Sequence, residues 1–131
     1  MDPHSAASVY EQNTFESAPP LKIVHMMYEG ALRFLDQAVQ FDPQTQPTEF
    51  NDRLSQADAV VSELRLSLAP EHAPDIAEHL NALYLFVEGQ IREAFLERTA
   101  EPIPAARDIL ETLLEGWREI QLEGEEPQAG N

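Results

Sequence analysis

Three observations predict an all-α chain, an antiparallel up-down four-helix bundle with an irregular N-terminal arm. Four segments carry apolar residues at spacings of three and four, the period of a helix with one buried face. Proline or a short polar connector bounds each of them. No stretch alternates apolar and polar residues as a half-buried strand would. Helices of matched length on short connectors pack beside their chain neighbours in alternating directions.

Residues 1–19 show no sustained period and read as a flexible arm. Pro3, Pro19 and Pro20 break helix there, and Val9, Tyr10 and Phe15 are its apolar anchors. The bundle is expected over 20–122. Its first helix begins near Pro20, since proline suits a first turn whose N–H has no partner. Val24, Met27, Tyr28, Ala31, Phe34, Leu35, Ala38 and Phe41 form its apolar face, and Asp42-Pro43 ends it. The second helix, capped by Thr48 or a neighbour, has the seam Phe50, Leu54, Ala57, Val61, Leu64 and Leu68, with Ala59, Val60 and Leu66 off it. Ala69-Pro70 stops that helix.

The third helix starts near Asp75, an acidic residue suited to a helix N-terminus. Its expected seam is Ile76, Leu80, Leu83, Val87, Ile91 and Ala94, which leaves Tyr84, Leu85, Phe86, Phe95 and Leu96 as surplus. The fourth has Ile103, Ala106, Leu110, Leu113, Trp117 and Ile120, broadened by Ile109 and Leu114. Leu122-Glu123-Gly124 is expected to end it, and 123–131 reads as a disordered acidic tail.

The 131 residues suffice for one core. There is no cysteine, so disulfide and thiolate chemistry are excluded. Neither a signal-peptide pattern nor a run long enough to span a bilayer is evident, and the expected location is cytoplasmic. Net charge is −16, and Lys22 is the only lysine. Phosphate-rich surfaces should repel such a chain, so no nucleic acid and no membrane insertion is expected.

Catalytic and metal chemistry find little support. The di-metal bundles need Glu-x-x-His on two helices, whereas Lys22, Ala69 and Ile76 stand three residues before His25, His72 and His79. Asp75 and His79 lie one helical turn apart without an evident third ligand. His25 sits beside an apolar face, where packing explains it. No phosphate-binding glycine loop or nucleophile elbow occurs. The expectation is no enzyme, no cofactor and no metal.

The run Leu83-Tyr84-Leu85-Phe86-Val87 is therefore the informative feature. Five successive helical residues point all round the axis, so one seam cannot cover them. A central helix, a homodimer, or the amphipathic segment of another protein lying in a groove would each hide the surplus. Ala59, Val60 and Leu66 place such a groove between the second and third helices, with the arm shaping or shielding it.

Several segments together resemble the FliS family of flagellin secretion chaperones. Tyr10-Glu11-Gln12-Asn13 is similar to the family's Tyr-x-x-Asn element. The stretch from Pro20 through Leu21, Val24, Met26, Met27, Tyr28, Glu29 and Gly30 to Ala31 resembles its Pro-x-x-Leu-(Val/Ile)-x-Met-Leu-(Tyr/Phe)-(Glu/Asp)-Gly-Ala signature. Ser62-Glu63-Leu64-Arg65, Ile76-Ala77 with Leu80, Leu83 and Tyr84, and Trp117 follow in order. The chain departs from the pattern at Pro19, at His79, and at Glu88-Gly89-Gln90, which replaces a stretch that is often basic.

The resemblance implies a cytoplasmic export chaperone of bundle fold that binds the disordered C-terminal segment of flagellin, prevents premature polymerisation and aids flagellar type III secretion. It implies no ATP. Tyr10, Asn13, Ala59, Val60, Leu66, Tyr84, Leu85 and Phe86 are the expected partner-binding residues. Further expected partners are the flagellar export apparatus and regulatory proteins, and the expected state is a monomer or weak homodimer. A helical-bundle adaptor for another amphipathic partner, such as a motility regulator, is the alternative.

Overall fold

The computed structural model describes residues 21–71 and 73–129, the last ten by backbone alone. Among them are four helices and no strand: α1 (Leu21–Ala38), α2 (Pro47–Leu66), α3 (Pro74–Glu97) and α4 (Ile103–Ala129). The packed pairs are α1 with α2, α2 with α3, α3 with α4, and α4 with α1, a closed square in chain order. Direction follows from the ion pairs. Glu29 meets Arg118 while Asp36 meets Arg107, so numbers rise along α1 as they fall along α4. At one end of the square, Gln44 in the α1–α2 connector donates its Nε2–H to the Arg98 carbonyl beside the α3–α4 connector, at 2.9 Å.

The helix ends differ from the expected ones for local reasons. α1 stops at Ala38, before Asp42-Pro43. The Gln40 and Phe41 N–H groups donate to carbonyls three residues back, and the Asp42 carboxylate accepts from the Gln44 and Thr45 N–H groups. A side chain that offers the backbone such bonds competes with the helix. α2 and α3 both start on a proline, with Gln46 and Ala73 in the cap positions and no side-chain cap. Proline's fixed φ starts these helices, so Thr48 is not the cap. α4 does not stop at Leu122-Glu123-Gly124 but continues to Ala129. One glycine costs a helix only about 1 kcal/mol, too little to end it among leucine and glutamates.

The core is formed by Val24, Tyr28, Ala31 and Leu35 of α1, Phe50, Leu54, Ala57, Val61 and Leu64 of α2, and Ile103, Ala106, Leu110 and Leu114 of α4. These follow the predicted faces closely. α3 does not. Its buried line is Ala77, Leu80, Tyr84, Val87, Ile91 and Ala94, while Ile76 is exposed and Leu83 only half-buried. Tyr84 is thus a core residue rather than surplus surface. From Leu80 onward the line runs four, three, four, three, a more regular stripe than one routed through Leu83.

Burying two phenols requires partners for their hydroxyls. Tyr28 and Tyr84 bond to each other through their Oη atoms. Their ring centroids lie 6.3 Å apart with planes tilted by 47°. The Trp117 Nε1–H donates to Tyr28 Oη at 3.1 Å, so α1, α3 and α4 share one polar contact inside an apolar core.

Tyr28→Phe removes the central hydroxyl of this contact and strands the indole N–H. It should lower unfolding free energy by about 1–3 kcal/mol in urea denaturation, and Trp117 fluorescence in the folded state should change.

Candidate protein-binding surface

Burial of Tyr84 sets the phase of α3, and each residue turns about 100° from the last. Leu85 and Phe86 consequently point out of the bundle, 49% and 45% exposed. Ala82 and Glu93 are exposed on the same outward side, and Leu96 there is 68% exposed. The result is a broad stripe along α3 whose apolar members are covered by no helix among the described residues.

The neighbouring edge of α2 contributes Leu66, 75% exposed, and the exposed Ala59 one heptad before it. Val60 does not join them. It is half-buried and packs on the core from the opposite flank of α2. Of the eight expected residues, the structure brings Ala59, Leu66, Leu85 and Phe86 to one side and places Tyr84 and Val60 elsewhere. Tyr10 and Asn13 lie outside the described residues. Ile23 and Met26 form a separate exposed apolar spot near the start of α1.

The α2–α3 seam also carries a charged contact that the sequence reading missed. Glu88 is buried. Its carboxylate accepts from Ser62 Oγ at 2.6 Å and from Arg65 through Nε at 2.6 Å and Nη2 at 3.2 Å. The clue was available: Glu88 stands four residues after Tyr84, so a core Tyr84 brings it to the edge facing α2. Burial pushes the Glu88 carboxyl up, but the hydrogen bonds from Arg65 and Ser62, with the charges of Arg65 and Arg92, outweigh it and hold the group below the ordinary carboxylate range. Asp58 goes the other way. Burial first and the Glu88 charge second raise it, against the opposing pull of Arg92 and Arg65.

The α1–α4 side is different in kind. A cleft of about 490 Å³ there is lined by Leu32 and Leu114 among charged residues of both signs. Arg107 spans the seam to Asp36 and also pairs with Glu111 on its own helix, each at 2.7 Å, with all three side chains at least one-third exposed. Exposed pairs of this kind contribute little to stability. Among the described residues no three His, Asp or Glu side chains gather as a metal site would require. Asp75 and His79 are both exposed, and His25 is buried with Nε2 lacking a hydrogen-bond partner. No helix among these residues is long and apolar enough to cross a membrane.

Two substitutions separate the carboxylates. A lowered folded-state pKa gives stability above the unfolded value, near pH 4.3, that is lost as pH falls through the folded value. Glu88→Gln should therefore lower stability at pH 7 by about 1–3 kcal/mol and flatten the acid limb of a stability–pH curve. Asp58 has the opposite sign, because its raised pKa favours the fold only while protonated. Asp58→Asn should raise the melting temperature at pH 7 relative to the wild type and lose that advantage below about pH 3.9.

The profile of the family described as "Flagellar protein FliS" matches residues 3–124. The chain is 30% identical over 123 residues to the flagellar secretion chaperone FliS of Campylobacter jejuni, covering 92% of this chain and 94% of that protein. It is 27% identical over 115 residues to the chaperone of the same name from Salmonella typhimurium, with 87% and 85% covered. The corresponding Vibrio cholerae protein is 30% identical over 104 residues, with 79% and 76% covered. The match takes in α1, α2 and α3 whole and most of α4, including the tyrosine pair, the buried glutamate and the apolar stripe. This chain belongs to the FliS family of flagellar secretion chaperones.

Proposed function

We propose that this chain is a cytoplasmic chaperone that holds the disordered C-terminal segment of flagellin before export. The client lies along the outward face of α3 and the adjoining edge of α2, anchored on Leu66, Leu85 and Phe86 and passing Ala59. The observation that carries the reading is a stripe of large apolar side chains on one side of a chain of net charge −16. Exposed apolar surface of this extent marks an interaction site. Its helical spacing suits the apolar face of an amphipathic segment.

The physical logic is that of a temporary lid. A disordered segment that later builds a filament core carries sticky surface in the monomer. Covering its apolar face blocks association, and leaving the rest extended keeps it fit for export. Ordering the client on binding opposes part of the contact energy, so binding should be enthalpic with a negative heat-capacity change. Tyr10 and Asn13 are assigned to the same site as the arm's contribution. The chemistry is that of binding, with no bond made or broken.

Calorimetric titration of the full chain with a C-terminal flagellin fragment tests the assignment. Leu85→Asp should leave far-UV helicity intact and weaken binding at least tenfold, about 1.4 kcal/mol. Tyr10→Ala should weaken binding with little change in melting temperature. Retention of a motility regulator by a chain that ignores flagellin would favour the adaptor reading instead.

A further inference from the structure

Gly89 stands mid-way along the outward face of α3. Its φ is not positive, and a Cβ built on it meets nothing within 4 Å among the described residues. Neither backbone conformation nor internal packing therefore calls for glycine, although glycine weakens a helix interior relative to alanine. One turn before it on this face are Leu85 and Phe86, and two turns after is Leu96, all large and about half exposed or more. The missing side chain leaves a notch after the Leu85–Phe86 ridge, with exposed Arg92 and Glu93 on the next turn. Gly116 on α4 is equally open, but exposed Thr112 and Glu119 stand beside it. The described residues give Gly89 no reason to be glycine; a close approach by a bound segment would.

The charges around the notch describe what approaches. Glu78, Glu93 and Glu97 on α3 and Glu63 on α2 are exposed. Arg92 is the neighbouring cation, and it acts on Asp58 and Glu88, which oppose it. A guest lying along the stripe thus brings its flanks against carboxylates. Charge complementarity selects lysine or arginine there and speeds encounter with a chain of net charge −16.

We propose that Gly89 is the point of closest approach for a helical client segment, whose backbone crosses α3 there and whose apolar stripe is flanked by basic residues. This rests on the reading of α3 as the flagellin-binding face and adds to it the client's conformation and charge.

The test titrates the full chain with the C-terminal flagellin fragment at about 50 mM and about 300 mM NaCl. Gly89→Ala should melt higher, by about 4 °C, yet bind several-fold more weakly. Gly89→Leu should fold normally and bind at least tenfold more weakly. Wild-type affinity should fall as salt rises. Glycine variants that bind like the wild type would overturn the proposal, as would an affinity that salt leaves unchanged or increases. A wild type that fails to bind the fragment at either salt overturns the flagellin reading itself, and this proposal with it.

Discussion

The hydroxyls of Tyr28 and Tyr84 meet inside the bundle, and that contact fixes how α3 is turned. A phenol that is buried must keep its hydroxyl bonded, so Tyr84 has one acceptable direction. Once it points at Tyr28, the rest of α3 follows by helical geometry. Val87 and Ile91 go to the core, Glu88 goes to the edge facing α2, and Leu85, Phe86 and Gly89 go outward. Trp117 adds α4 to the same contact. The orientation of the outward stripe is therefore a consequence of the core and needs no feature of its own.

The two open-sided seams of the bundle use charge differently. Between α2 and α3 the Arg65–Glu88 pair is bidentate, its carboxylate buried and its guanidinium partly exposed, with Ser62 completing the carboxylate's bonds. Such a pair fixes geometry, because Glu88 alone would be left desolvated. It ties α2 to α3 at this seam. Between α1 and α4 the pairs are exposed, and water screens them. On the proposed reading the Arg65–Glu88 pair would form part of the floor of the client face, and the net charge of −16 would oppose association of like molecules.

Much of the bundle was legible in periodicity alone. The seams of α1, α2 and α4 and their order around the square follow from spacings of three and four and from short connectors. α3 was harder because Leu83 through Val87 are all apolar, so hydrophobicity could not say which of Leu83 and Tyr84 faced inward. The deciding information was polar: a hydroxyl with a partner on α1. For the same reason Glu88 had no assigned place until Tyr84 was placed. Val60 was assigned to the groove side, although one step of a helix carries it to the other flank from Ala59. Helix ends were misplaced where side chains of the connectors, such as Asp42, took backbone bonds that the periodic pattern does not register.

Membership of the FliS family and the shape of this bundle converge on one physical claim. The core turns α3 so that Leu85, Phe86 and Leu96 face outward, where the proposed client would lie. The most direct measurement is intermolecular methyl NOE spectroscopy on the full chain bound to a C-terminal flagellin fragment. The account requires contacts from the client to the methyl groups of Leu66, Leu85 and Leu96, and none to buried Leu54 or Leu110. Contacts confined to Leu32 and Leu114 on the α1–α4 side, with the α3 methyls unchanged from the free protein, would contradict it.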